Sequence, residues 1–371
     1  MPKVSLNPKK LTRSQVYKKL SQKQKQAADA VMREFKTASR TTCVSACATG
    51  KSRIGMIVTR RMKAHVNIIA VPTLQLVQQM IDLIVETSGM KQYAILPVCS
   101  AQDGESPEDW DIHNATTDPK VICDVCQANQ PVIVVVTYPS FPTLAKAIHG
   151  KVKVDLLVSD EAHRTAGTKG AHWTECLNDK TLRIAKRLFM TATPVVYRGE
   201  NDTAYSMTDE KVYGRTCFEY TYREAYEDGV VALVKTTIFS IPTESAAEAA
   251  NNLSEPQQQA FLAESLAAQM LRPRQKTKML VFHNSLPASR QFAAKLQSLG
   301  VNAVHLHGGI SVKERLQKIN QFSASKQSSV ICAVRVFSEG VDAPEIDTIV
   351  FADRKSSKID IVQSIGRGTR W

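Results

Sequence analysis

Two short segments carry the residue types most able to do chemistry. Ser45-Ala46-Cys47-Ala48-Thr49-Gly50-Lys51-Ser52 follows a short apolar run and precedes a helical pattern over 54–62. A phosphate site needs backbone N–H groups facing one point, a helix N-terminus, a lysine that reaches the terminal phosphates and a hydroxyl for Mg²⁺. Gly50, Lys51 and Ser52 supply the core of that set. Ser45 stands where the strict loop has its leading glycine, so the formal match fails at one position, and a plain helical turn would explain the segment alone. The second segment, Asp160-Glu161-Ala162-His163, ends the apolar run 154–159. Acids at the carboxyl edge of a parallel strand sit where open α/β sheets bind ligands. One carboxylate can hold Mg²⁺ while its neighbour orients or deprotonates a water. A helix start that favours acids through its dipole is the simpler reading of that segment by itself.

These residues need a scaffold, and the chain past residue 40 supplies one by alternating short β-rich runs with helical stretches. That alternation is the signature of a parallel sheet covered by helices. Strands are expected at 66–71, 132–137, 154–159 and 187–191, and their continuous apolar character fits burial on both faces. Residues 196–230 are less regular, with Gly199, Gly214, Gly229 and several tyrosines. A second set follows at 232–241, 279–284, 303–307, 329–334 and 348–352. An Ala/Gln/Glu-rich stretch over 243–275 interrupts that set, and Ser254-x-x-Gln257 with Pro256 reads as a capped helix start there. Two α/β domains joined near residue 230 are therefore expected. The phosphate-loop segment and the acidic pair fall on different strands of the first sheet, in the order that a P-loop ATPase requires.

Composition is that of an ordinary globular chain, 371 residues with 43% hydrophobic and 22% charged. No apolar stretch approaches the roughly 18 residues of a membrane span, and the N-terminus lacks the apolar region of a secretory signal. Eight cysteines are too sparse for a disulfide scaffold and read as reduced thiols. The net charge of +13 is uneven: residues 1–40 hold eleven Lys or Arg and only two acids, Asp29 and Glu34. A basic arm over 1–19 reads either as a solvated tail, the fitting description of 1–12, or as a contact with a polyanion such as nucleic acid. Lysine outnumbers arginine there, which disfavours a transit peptide.

Thr191-Ala192-Thr193-Pro194 closes the strand after the acidic one, and from this point the sequence resembles the superfamily-2 DEAD/DEAH-box helicases and translocases. Gln24 matches the family's adenine-side glutamine. Val71-Pro72-Thr73-Leu74 resembles motif Ia and Val136-Thr137-Tyr138 motif Ib. Val281-Phe282-His283-Asn284 resembles motif IV, with His307-Gly308 at the usual strand end after it. Ser338-Glu339-Gly340-Val341-Asp342-Ala343-Pro344 resembles motif V, and Gln363-Ser364-Ile365-Gly366-Arg367-Gly368-Thr369-Arg370 resembles motif VI. The resemblance covers residues 20–371. It is nearest to the helicase modules of restriction and phage-defence proteins, through Asp160–Gly167, Phe189–Pro194, Ser206–Gly214 and Tyr222–Gly229. Two departures stand out: Ser45 and Ala48 occupy positions where the family has Ala or Gly and Gly, and the adenine-side motif lacks the Arg or aromatic residue often found just before the glutamine. A methyl group at 48 crowds the phosphate and disfavours positive φ.

The resemblance implies two RecA-like α/β domains: an ATP-binding domain over 20–230 and a helicase C-terminal domain over 231–371, truncated because relatives normally continue past Arg370. It implies ATP and Mg²⁺ as cofactors, with Gln24, Thr49, Gly50, Lys51, Ser52, Gly340 and Asp342 on the nucleotide and Ser52 and Asp160 on the metal. Glu161 is expected to activate water, with Lys51, Arg367 and Arg370 stabilising transferred charge in a cleft between the domains. Pro72, Thr73, Thr137, Tyr138, His307 and Gly308 are the expected nucleic-acid contacts. Double-stranded DNA is the expected partner, in a restriction or repair motor. An RNA helicase, or a non-catalytic nucleic-acid-binding remnant suggested by Ala48, are the alternatives. No nuclease carboxylate–lysine cluster or methyltransferase Asn-Pro-Pro-Tyr is evident, so such activities would come from other subunits or domains. The compartment expected is the cytoplasm of a bacterial or viral setting, or the nucleus in a eukaryote, with no membrane contact.

Other residues have plainer readings. Cys123-x-x-Cys126, with Cys99 and His113 nearby, has zinc-ligand spacing but no second tight pair, and Thr117-Asp118-Pro119 marks a helix start that would put both cysteines on one face. Trp110 and the acids of 103–111 read as a surface loop. His305 and His307, two apart, share a strand face at a sheet edge.

Overall fold

The computed structural model describes residues 13–102, 104–168, 171–196, 204–232, 234, 255–270, 276–334, 346–353 and 357–366. It divides into two compact units, Met1–Val231 and Ala232–Trp371. In the first, helix α1 (Arg13–Glu34) leads into β1 (Arg40–Ser45), α2 (Lys51–Met62), β2 (Val66–Val71), α3 (Leu74–Glu86) and β3 (Ala94–Val98). Then come α4 (Pro119–Gln127), β4 (Val132–Thr137), α5 (Phe141–Ile148), β5 (Val154–Ser159), β6 (Ile184–Thr191), β7 (Arg215–Tyr220) and α6 (Tyr222–Glu227). The seven strands form one sheet in the order β3-β4-β2-β5-β6-β1-β7, and every neighbouring pair is parallel.

Parallel pairing requires crossovers over the sheet faces, so central strands lose water on both sides. Val66–Val71 and Val132–Thr137 are buried at every position for that reason. Each fully buried Val, Ile or Leu contributes about 1.5–3 kcal/mol relative to exposure, and the cluster from Val66 through Val136 to Phe189 gathers fifteen of them, with Ala, Cys, Met and aromatic side chains, into one core.

Two strands do not read out of the sequence in advance. β3 carries Pro97, which an edge strand tolerates because its outer N–H has no ladder partner. β7 lies at the opposite edge, with a bulge against β1 between Thr42 and Cys43, and only Tyr220 is buried in it. Residues 13–19, grouped with the arm on charge alone, are helical and continuous with Gln24. Trp110 corrects the expectation of a surface loop: it is buried, and its indole N–H donates to Glu105 Oε2 at 2.7 Å.

The second unit holds α7 (Glu255–Met270), β8 (Lys278–Phe282), α8 (Leu286–Ser298), β9 (Asn302–Leu306), α9 (Val312–Ala324), β10 (Ser329–Ala333), β11 (Thr348–Phe351) and α10 (Lys358–Ile365). Its four strands are parallel in the order β9-β10-β8-β11. The strand expected at 232–241, apart from residues 232 and 234, and the cap at Ser254 lie outside the described residues. Both units are thus parallel sheets covered by helices, the RecA-like arrangement. Among the described residues no helix is long and apolar enough to cross a membrane.

Candidate nucleotide site at the carboxyl edge of the first sheet

The carboxyl ends of β1 and β5 deliver the two chemical segments to one place. After β1 the chain turns through Ala48 and Gly50, both with positive φ (65° and 72°), and enters α2 at Lys51. Gly50 caps the helix, and a Cβ there would lie 2.6 Å from Gln24 Nε2. Only glycine fits. Ala48 adopts the left-handed conformation despite its methyl group, a strain of about 1–2 kcal/mol for an L-residue. The loop is braced from within. The Thr49 hydroxyl donates to Ala46 O at 2.6 Å, so the Ser45 hydroxyl, 2.7 Å from it, is the donor in that pair. From α1, buried Gln24 donates through Nε2 to Thr49 O at 3.1 Å and Gly50 O at 3.4 Å. Gln24 therefore secures the loop backbone.

Facing this loop, the Ser52 hydroxyl donates to Asp160 Oδ2 at 2.9 Å, and Lys51 Nζ lies 3.8 Å from Glu161 Oε1. Asp160 Oδ1 accepts from the Glu161 N–H at 3.0 Å. Burial, and next the Glu161 carboxylate, raise the Asp160 pKa above the ordinary carboxylate value, while Lys51 and Ser52 act the other way. A hard dication would relieve that conflict. The donor set also fits one in kind, since a hydroxyl and a carboxylate are the hard oxygen ligands that Mg²⁺ takes.

Glu161 has φ 48°, a second left-handed non-glycine residue at the site. Buried His163 places Nδ1 3.4 Å from Glu161 Oε2 and 3.2 Å from Thr191 Oγ1, and that hydroxyl accepts from Thr193 N–H at 3.0 Å. The acidic segment is therefore joined to Thr191-Ala192-Thr193, a link that the motif spacing alone does not reveal.

The remaining candidates divide. Pro72 is buried, and its carbonyl accepts from Gln102 Nε2 at 3.1 Å; Thr73 caps α3 by accepting from Leu76 N–H. His307 is half-buried and Gly308 exposed at the end of β9. Thr137 and Tyr138 have their side chains enclosed in the core, so only the backbone of that turn is presented outward. Gly340, Asp342, Arg367 and Arg370 lie outside the described residues. No group of three or more His, Cys, Asp or Glu able to hold a metal occurs among the described residues. Cys123 and Cys126 share the buried face of α4, where burial and then Cys123 push Cys126 up to about 11, away from the thiolate that zinc needs.

Comparison with known proteins agrees with this geometry. Residues 17–196 match the family described as "Type III restriction enzyme, res subunit", and residues 262–371 match "Helicase conserved C-terminal domain". The chain belongs to the superfamily-2 helicases. It is 29% identical over 349 residues to the "Probable helicase A859L" of African swine fever virus, covering 93% of this chain and 38% of that relative. Over 91 residues it is 33% identical to human "Probable ATP-dependent RNA helicase DDX47", covering 24% of this chain and 20% of that protein. The chain thus spans well under half the length of the curated relatives it matches. Among solved structures, the "ATP-dependent Type ISP restriction-modification enzyme LlaBIII bound to DNA" shares the fold, with a TM-score of 0.72 at 20% identity over 99% of this chain and 27% of that one. "S. cerevisiae Dbp5 bound to RNA and ADP BeF3" does so with a TM-score of 0.57 at 17% identity, over 95% and 82%.

Proposed function

We propose that this chain is the motor of an ATP-dependent translocase or helicase acting on nucleic acid, and that duplex DNA is its track. The observation that carries the reading is the meeting of Ser52 with Asp160 and of Lys51 with Glu161, from segments distant in sequence. In this reading Lys51 compensates charge on the β- and γ-phosphates, and Ser52 with Asp160 holds Mg²⁺, which supplies further charge neutralisation when bound. Glu161 orients the attacking water and accepts its proton. His163 fixes the Glu161 carboxylate from the far side and passes its position to Thr191. Arg367 and Arg370, carried over from the motif they match, add the cationic charge that phosphoryl transfer requires. Gln24 recognises the base, and Gly340 and Asp342 contact the nucleotide by the same resemblance. The net charge of +13 suits a polyanionic partner.

Duplex DNA is favoured by the restriction-enzyme family match over 17–196 and by the likeness to a DNA-bound restriction–modification enzyme. The description of that neighbour as a restriction–modification enzyme supports the inference that nuclease or methyltransferase domains or subunits act beside this motor. The 33% identity to an RNA helicase over 91 residues supports RNA as the second reading. ATP turnover measured with duplex DNA, single-stranded DNA and RNA separates them: duplex DNA should stimulate most. Lys51→Ala should abolish turnover with the fold intact. Parental turnover in that variant would sink the assignment of the site.

A further inference from the structure

Tyr138 is wholly buried, yet its hydroxyl is spoken for: it donates a 2.8 Å hydrogen bond to the backbone carbonyl of Asp160. The bond crosses the sheet. Tyr138 opens the turn after β4, Asp160 follows β5, and β2 lies between those strands. Strands stand about 4.8 Å apart, so ends two places apart are roughly 10 Å from each other, and only a long side chain joins them. The carbonyl it holds belongs to the peptide that leads into Glu161, whose left-handed backbone is strained for a residue with a Cβ. Such a conformation persists only where the surroundings over-determine it. Here they do so from two sides. The Asp160 N–H donates to Ala70 O of β2 at 2.9 Å, just before Pro72 and Thr73, and the Asp160 carbonyl is held from the turn that follows β4. That turn is closed by the Thr137 hydroxyl donating to Ser140 Oγ at 3.1 Å. Both backbone ties of Asp160 therefore run to strands whose exits carry the segments resembling motifs Ia and Ib.

We propose that Tyr138 is a positioning residue that couples nucleic-acid binding at the turn after β4 to ATP hydrolysis, by holding the Asp160–Glu161 peptide so that the Glu161 carboxylate is aimed. This rests on the reading of Glu161 as the water-orienting group and of the turn resembling motif Ib as a contact for nucleic acid. The phenol is the sole polar atom of the side chain, and it touches neither nucleotide nor nucleic acid, so its removal leaves both binding surfaces in place. The ring itself packs 5.4 Å from Trp173, over which the Arg164 guanidinium lies at 5.7 Å. Tyr138→Phe keeps that packing and deletes the hydroxyl, with its bond to Asp160 O and its contact with the Ser159 side chain, whereas Trp173→Phe disturbs the packing and leaves the hydroxyl in place.

The test is steady-state ATPase of the full chain and these two variants, with and without saturating nucleic acid, beside thermal melts and the Lys51→Ala control. Tyr138→Phe should lower the stimulated kcat roughly three- to tenfold, the scale of one hydrogen bond, and lower the basal rate less. The KM for ATP and the Kd for nucleic acid should stay within twofold. Trp173→Phe should lower Tm while the stimulated kcat stays within twofold. The proposal is overturned if Tyr138→Phe keeps the stimulated kcat, if KM or Kd shifts by as much as kcat, or if basal and stimulated rates fall equally. It is also overturned if Trp173→Phe reproduces the kinetic loss, if Tyr138→Phe fails to fold, or if no nucleic acid stimulates the parent. Parental turnover in Lys51→Ala would instead strike the underlying reading of the site, whatever Tyr138→Phe does.

Discussion

Asp160 sits at 4% exposure with burial and Glu161 both favouring its neutral form. A carboxyl whose folded pKa exceeds its unfolded one binds more protons in the folded state between the two values. Stability therefore falls as pH rises from the ordinary carboxylate value through the raised one. Asp160→Asn keeps an acceptor for Ser52 and Glu161 while removing the charge. It should raise the stability of the nucleotide-free protein at pH 7 by about 0.5–2 kcal/mol, the usual gain from relaxing a functional site. The advantage should shrink as pH falls toward the ordinary carboxylate value, and stabilisation by Mg·ATP should be lost. Thermal melts at pH 7 and pH 5, with and without Mg·ATP, check this; an advantage that grows on acidification would contradict it. At this scale the chemistry was readable in advance wherever few residue types can do a job. Lys51, Ser52, Asp160 and Glu161 are of that kind. Tyr138 was not, because a motif gives a residue's place along the chain and not the direction of its side chain. The strain at Ala48 could be anticipated from its methyl group, whereas that at Glu161 has no signal in its residue type.

The elements show the same division. β2, β4 and β5 announce themselves as unbroken apolar runs because both their faces are covered. β3 is an apolar edge strand interrupted by Pro97, and β7 is a largely exposed edge of mixed composition; both form because a neighbouring strand offers an unpaired ladder. For β7 the enabling residue is Gly214, one of the glycines that made this region look irregular. Its φ of 68° and ψ of 175° belong to a region that residues with side chains avoid. A Cβ there would stand 2.1 Å from Arg40 O, at the start of β1. The Thr41 and Thr42 hydroxyls then donate to Arg215 O and Tyr213 O at 2.9 Å each, tying the two strands together. Gly214→Ala combines a backbone clash with a forbidden dihedral, so a loss of about 3 kcal/mol is expected. In a unit of this size that lowers Tm by roughly 6–12 °C. Because Ala46 N–H donates to Tyr220 O at 2.9 Å, the damage should reach the phosphate loop and weaken ATP binding as well. A variant that melts with the parent would mean that β7 is not needed to hold β1 in register.

Over the whole molecule, each unit has its own sheet and its own core, and the first contains every described residue assigned here to the nucleotide. Lys19 and Lys23, counted with the basic excess of the N-terminal region, are engaged inside that unit: both pair with Asp228, at 2.8 and 3.3 Å, beside Tyr220. Helix α1 is therefore part of the fold rather than of a free arm, and it carries Gln24 to the loop. A fragment of residues 1–231 should then melt in one cooperative transition and be stabilised by Mg·ATP. Turnover is another matter. Phosphoryl transfer without arginine compensation is slower by about 10³–10⁵ in enzymes that use it, and the only residues that the resemblance assigns to that role, Arg367 and Arg370, belong to the second unit. The fragment should consequently bind nucleotide but hydrolyse it at least a thousandfold more slowly than the full chain with saturating nucleic acid. Arg367→Ala and Arg370→Ala in the full chain should reproduce much of that loss while nucleic-acid binding persists. Calorimetry of the fragment and ATPase of all three proteins make the comparison. If residues 1–231 turn over ATP as fast as the whole chain, the second unit has no part in the chemistry and the motor is a single domain.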